Sequence, residues 1–117
     1  MSRLTTHVLD TANGCPAAGL ALALYRLDGD HRERLLATQT NRDGRCDAPL
    51  LSGETMQPGI YELVFQVADY FSARGTPQSD PPFIGEAVIR FGLAHPDQHY
   101  HVPLLVSPWS YSTYRGS

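Results

Sequence analysis

Three histidines and one arginine are the side chains best placed to do chemistry. His7 lies in the alternating stretch Leu4 to Leu9, where Thr5, His7 and Leu9 share one face of a strand. His99 and His101 flank Tyr100 in the stretch His99 to Val106, so their imidazoles share a face, opposite Tyr100 and Val102. An imidazole with a reference pKa of about 6.5 is mostly neutral at pH 7 and can accept a proton as a general base. Imidazoles from His7, His99 and His101 would equally supply the three ligands of an open catalytic zinc site, although no Asp or Glu stands out as a partner behind them. The plainest alternative is a strand histidine facing water. His31 and His95, each in a polar loop, take that reading. Arg45 follows the tight turn Asn41-Arg42-Asp43-Gly44. Its planar guanidinium can grip paired oxygens or steady a developing oxyanion, or it can simply be solvated.

The tail Ser110 to Ser117 is the other unusual stretch. Chain ends are normally frayed and polar, yet here the β-prone Tyr111-Ser112-Thr113-Tyr114 leads into Arg115-Gly116-Ser117. That composition implies an end held in place. No G-x-S-x-G elbow, phosphate-binding loop, G-x-G-x-x-G or C-x-x-C occurs, and nothing marks a nucleophile.

The elements that must carry these residues are short strands separated by turn residues, the pattern of an all-β sandwich. Leu4 to Leu9 stops at Asp10 to Gly14. Ala18 to Arg26 places Leu20, Leu22 and Leu24 on one face. Leu35 to Thr40 follows, then the loop Gly53 to Gly59. Ile60 to Ala68 is the clearest strand, with Tyr61, Leu63, Phe65 and Val67 on one side. Asp69 to Arg74 reads as one short helix, capped by Asp69 and stopped by Gly75. Ile84 to Phe91, His99 to Val106 and Tyr111 to Tyr114 complete the strands. Pro103 lacks an N–H, so the strand near it must be an edge, a bulge or a gap in the bonding.

The 117 residues predict a single domain, 1–117, with one core. With 42% hydrophobic and 18% charged residues the chain has a globular rather than a disordered composition. A net charge of −3 gives no basic face for nucleic acid, and no apolar run is long enough to span a membrane. Cys15 and Cys46 are too few for a disulfide framework and read as free thiols of a reducing compartment. With no leader-like start, the chain is expected to be cytoplasmic.

Four motifs together resemble one family. Leu4-Thr5-Thr6-His7-Val8-Leu9-Asp10, Asp43-Gly44-Arg45-Cys46, His99-Tyr100-His101-Val102-Pro103-Leu104-Leu105 and the ending Tyr111-Ser112-Thr113-Tyr114-Arg115-Gly116-Ser117 are similar, in order, to those of the 5-hydroxyisourate hydrolases. Tyr61 to Phe71 also fits, and the likeness runs the length of the chain. Only Pro81 to Glu86 departs from the family's usual segment, in a loop away from the other motifs.

The resemblance implies a transthyretin-like (prealbumin-like) two-sheet β-sandwich with one short helix. It further implies hydrolysis of 5-hydroxyisourate, the first product of urate oxidation, to 2-oxo-4-hydroxy-4-carboxy-5-ureidoimidazoline, without metal or cofactor. His7, Arg45, His101 and Ser117 would be catalytic, with His7, Arg45 and Tyr114 binding the small-molecule substrate and His99 a neighbour. One of His7 and His101 would be the general base, and the Ser117 hydroxyl and terminal carboxylate would orient a histidine or the water. The family's homotetramer, a dimer of dimers with sites where dimers meet, is the expected assembly. Transthyretin, the hormone carrier of the same fold, lacks the counterparts of these histidines and of the Tyr-Arg-Gly-Ser end, so their presence points to an enzyme. A ligand carrier and a zinc hydrolase are the two other readings.

Overall fold

The computed structural model describes residues 2–117. The strands are β1 (Arg3–Thr5), β2 (Val8–Asp10), β3 (Cys15–Pro16), β4 (Ala21–Asp28), β5 (His31–Gln39), β6 (Leu51–Ser52), β7 (Gly59–Phe65), β8 (Ala87–Leu93), β9 (Tyr100–His101), β10 (Leu104–Val106) and β11 (Tyr111–Ser112), with one α-helix, α1 (Val67–Arg74). One layer of the sandwich is the antiparallel sheet β5-β4-β7-β8. The other is built from β6-β1-β9 and β11-β10-β2-β3. These two pieces share one parallel register, since Leu4 faces Tyr100 in the first and Val8 faces Leu104 in the second. Backbone bonds from Val102 N–H to the Thr5 carbonyl (2.9 Å) and from Leu104 N–H to the His7 carbonyl (2.9 Å) carry the pairing across the break.

Alternation builds the core. Leu20, Leu22 and Leu24 meet Tyr61, Leu63 and Phe65 from one sheet, and Leu4, Val8, Leu104 and Val106 close over them from the other. The faces expected for Thr5, His7 and Leu9, and for His99 and His101, hold: all are half-buried or exposed, while Leu4, Thr6, Val8, Tyr100 and Val102 are buried.

Several boundaries move. The first strand is divided at Thr6-His7, where the Thr6 hydroxyl donates to the Val102 carbonyl (2.7 Å) in place of a ladder bond. His31 starts β5 instead of lying in a loop, because the hairpin with β4 extends to the pair Asp28 and His31. The strand expected over 60–68 ends at Phe65, and the helix begins at Val67, so Asp69 sits in its first turn and does not cap it. Val67, Tyr70 and Phe71 form the buried stripe of α1, and Gly75 ends it in the left-handed conformation (φ 76°). The Tyr70 hydroxyl donates to the fully buried Asp10 carboxylate (2.8 Å), which also accepts from the Asn13 backbone and side-chain amides (2.9 and 2.7 Å). Burial alone would raise the Asp10 pKa, but these bonds outweigh it and hold it below its ordinary value.

Candidate active site

Arg45 is placed by a turn that Asn41 builds. The Asn41 side-chain oxygen accepts from the Asp43 N–H (2.9 Å) and the Arg45 N–H (3.1 Å), and its backbone carbonyl accepts from Gly44 N–H (2.9 Å). Gly44 has φ 77° and passes its carbonyl to the Val8 N–H (2.8 Å), which locks the turn to β2. A Cβ at this position would stand 2.4 Å from the Val8 carbonyl oxygen. Gly44→Ala is therefore expected to cost at least about 2 kcal/mol from the left-handed backbone and the clash together, and to displace Arg45. Thermal unfolding of the variant checks this; an unchanged midpoint would mean the turn is not rigid.

The same turn fixes His7. Its backbone bridges that of Arg45, and its ring Nε2 lies 2.9 Å from the Asp43 carbonyl oxygen. A carbonyl can only accept, so Nε2 is the donor in this bond and carries a proton.

His101 is held from two sides. Thr5 stands directly opposite it in the parallel pair β1/β9, with Thr5 Oγ1 2.9 Å from His101 Nδ1. His99 reaches the same hydroxyl through Nε2 at 3.4 Å. From the other side Gly116 exchanges both backbone bonds with His101 (3.0 and 2.7 Å). A larger residue would crowd the ring, since a Cβ on residue 116 would lie 3.2 Å from the His101 Cβ. Arg115 braces the tail: Nη2 donates to the Gln98 side-chain oxygen (3.0 Å) and the His99 carbonyl (3.3 Å), and its guanidinium carbon lies 4.3 Å from the centre of the Tyr100 ring. The tail keeps one antiparallel register throughout, with Leu105 facing Ser112 and His101 facing Gly116, which sets Tyr114 opposite Pro103. Pro103 thus makes a bonding gap, and the Thr113 hydroxyl takes its carbonyl instead (2.7 Å).

A pocket of about 430 Å³ opens over these groups, lined by Arg3, Thr5, Arg45, His99, His101 and Ser117 and floored by Thr6 and the segment Cys46 to Pro49. It brings together Arg45, His101 and Ser117 from three distant parts of the chain. His7 is joined to the group through its backbone bridge to Arg45 but does not line the pocket. The Tyr114 side chain is exposed and borders a separate, mostly apolar hollow with Phe91 and Arg90. Arg3, Thr5 and Asp47 are pocket residues that sequence reasoning did not single out as functional. Asp47 accepts a bond from the Asn41 side-chain amide (3.0 Å), and its place two positions after Arg45 was the available signal. Burial, followed by the positive charge of Arg45 and the neighbouring His7 and His99, holds the His101 pKa below its ordinary value of 6.5. The shift favours the neutral imidazole. Among the described residues no three His, Cys, Asp or Glu side chains converge to hold a metal ion.

The pocket can place a neutral base and a fixed cation against one small polar molecule, which is the equipment of a hydrolytic site that needs no nucleophile of its own. Fold and site together define a transthyretin-like β-sandwich carrying a histidine–arginine pocket against the tail of the chain. A model of the HIUase/transthyretin family matches residues 4–116, and the chain belongs to that family. The 5-hydroxyisourate hydrolase of Pseudomonas aeruginosa is 57% identical over 117 residues, covering all of this chain and 93% of that one. The structure of Klebsiella pneumoniae 5-hydroxyisourate hydrolase is similar with a TM-score of 0.81 at 35% identity, over all of both chains. Sea bream transthyretin in complex with thyroxine is similar with a TM-score of 0.85 at 28% identity, over 97% of this chain and 94% of that one.

Proposed function

We propose that this protein hydrolyses 5-hydroxyisourate to 2-oxo-4-hydroxy-4-carboxy-5-ureidoimidazoline in urate breakdown, without a metal or cofactor. The observation that carries the reading is the convergence of Arg45, His101 and Ser117 on one pocket, in a chain whose relatives bear that activity in their names. Water attacks the ring carbonyl carbon C6 while a histidine removes its proton. Collapse of the tetrahedral intermediate breaks the N1–C6 bond, the proton passes to N1 as it leaves, and C6 becomes the carboxyl group, still bonded to C5. His101 is the better base of the two candidates, because its environment favours the neutral ring and its Nε2 is left to the substrate side.

Arg45 binds the substrate oxygens and steadies the oxyanion, a contribution of roughly 3 kcal/mol for one well-aimed donor. His7, with a proton fixed on Nε2, orients the substrate or the water through Nδ1. Ser117 orients the water beside His101. Tyr114 serves the site through its backbone, since its ring borders another hollow.

The deciding experiment supplies freshly generated 5-hydroxyisourate and follows its absorbance decay, before and after exhaustive dialysis against a chelator. Accelerated decay that survives dialysis is expected. Activity lost to the chelator and restored by zinc would replace this mechanism with a metal-dependent one. Absence of any acceleration would leave the carrier reading, which the likeness to thyroxine-bound transthyretin favours. The working assembly is a cytoplasmic homotetramer, a dimer of dimers, and sedimentation is expected to give a mass near that of four chains. A fully active monomer at assay concentration would refute a site shared across dimers. Among the described residues no helix is long and apolar enough to cross a membrane.

A further inference from the structure

We infer that Thr5 is a positioning residue: its hydroxyl holds His101 in the tautomer with the proton on Nδ1, so that Nε2 is the bare, proton-accepting nitrogen. The inference deepens the hydrolase reading and rests on it only for the use made of that nitrogen.

The geometry begins with strand register. Thr5 and His101 face each other across β1 and β9, and His99 lies two residues before His101 on the same face. Thr5 Oγ1 therefore sits between two imidazoles, 2.9 Å from His101 Nδ1 and 3.4 Å from His99 Nε2. A hydroxyl has one hydrogen to give and two lone pairs to receive with. It can donate to at most one of the two rings, so at least one ring must donate to it. The two rings are thereby coupled through one oxygen, and the direction of the chain fixes which nitrogen of His101 is protonated.

Three arrangements satisfy both rings. Running from His101 to Thr5 to His99, the chain leaves Nε2 of His101 bare. Running the other way, it leaves an N–H there. In the third, both rings donate to Thr5 and Nε2 of His101 is again bare. Arg45 decides among them. It lines the same pocket as His101, it is always cationic, and it can only donate. A lone pair on the remaining nitrogen is favoured beside such a group, and an N–H is not. His99 shares the Thr5 hydroxyl with His101 in either of the arrangements that leave Nε2 bare.

The test reads the tautomer directly and needs no substrate. Long-range ¹H–¹⁵N spectra of the labelled protein, taken at a pH where His101 is neutral, are expected to show Nδ1 protonated and Nε2 bare. Thr5→Val keeps the shape and removes the hydroxyl. It is expected to convert His101 to a mixture or to the other tautomer and to lower kcat by about tenfold or more with little change in KM, as when a catalytic histidine loses the partner that fixes its tautomer. Thr5→Ser is expected to restore both readouts.

A parent protein with the proton on Nε2, or a Thr5→Val spectrum identical to the parent's, would overturn the inference. If Thr5→Val does not fold, the parent spectrum alone decides. If the parent protein shows no hydrolysis, the hydrolase reading fails in the absorbance assay while the spectra still judge Thr5.

Discussion

Deleting Tyr114 to Ser117 is expected to leave a folded protein whose turnover is reduced by about 10²-fold or more. Little of the core is lost, because none of these four residues is buried. The fold forfeits the two backbone bonds between Gly116 and His101, together with the Arg115 contacts to Gln98 and His99. At roughly 1 kcal/mol for each exposed-edge bond this is a modest loss of stability. The chemistry loses far more. His101 is clamped between Thr5 and Gly116, and Ser117 forms one wall of its pocket. A base released from that clamp samples orientations that cannot reach the water, and misplacement by about 1 Å is enough to cost 10²-fold. Gly116→Val is the sharper companion, since its side chain would press on His101 Cβ and Cδ2, now 3.2 and 3.4 Å from where a Cβ would stand. A melting curve and a turnover assay on both proteins check the claim. Truncated and substituted proteins that both work at the parent rate would remove the tail from the site.

Arg45→Ala and His101→Ala should each lower turnover by about 10²-fold or more, the usual cost of losing an oxyanion donor or a general base. His7→Ala is expected to fall in the same range, and His99→Ala to cost clearly less. The arginine variant carries a second signature. His101 works as a base when deprotonated, and its pKa is held below 6.5 by burial and then by Arg45, His7 and His99. The acid limb of kcat/KM for the parent protein therefore lies below pH 6.5. Removing the Arg45 charge lets the His101 pKa rise, so the limb of Arg45→Ala moves to higher pH. Arg45→Lys keeps the charge but not the planar fork, and is expected to hold the limb in place while turnover stays low. A pH profile of the three proteins reads this directly. If Arg45→Ala is near neutral while His99→Ala is the most damaging change, the roles are assigned to the wrong residues.

Much of the site could be read along the chain because side-chain direction in a strand is a local property. Thr5, His7 and Leu9 had to share a face, as did His99 and His101, whatever the strands paired with. The tight turn before Arg45 was legible for the same reason: Asn, Asp and Gly carry their own backbone preferences. Pro103 announced a break in the bonding, though not on which side. The helix was found but its start was misplaced, because Val67 continues the apolar alternation of Tyr61, Leu63 and Phe65. The burial of Val67, and the bond from Ala68 N–H to the Gly85 carbonyl (3.0 Å), turn the chain into a helix two residues sooner.

By itself, then, the order of residues determined the all-β class, the apolar faces, the positions of the turns and the four motifs that carry the family likeness. Only the tertiary structure decided which faces meet. Thr5 and His101 are 96 positions apart in the chain, and no local preference encodes their register; it is chosen by burying Leu4, Val8, Tyr100 and Leu104 together. The same long-range pairing carries the tail back to His101 and turns the Tyr114 ring away from the pocket. Pairings of this kind are won by the collective burial of a sheet face, a quantity that belongs to the folded chain and to no single stretch of it.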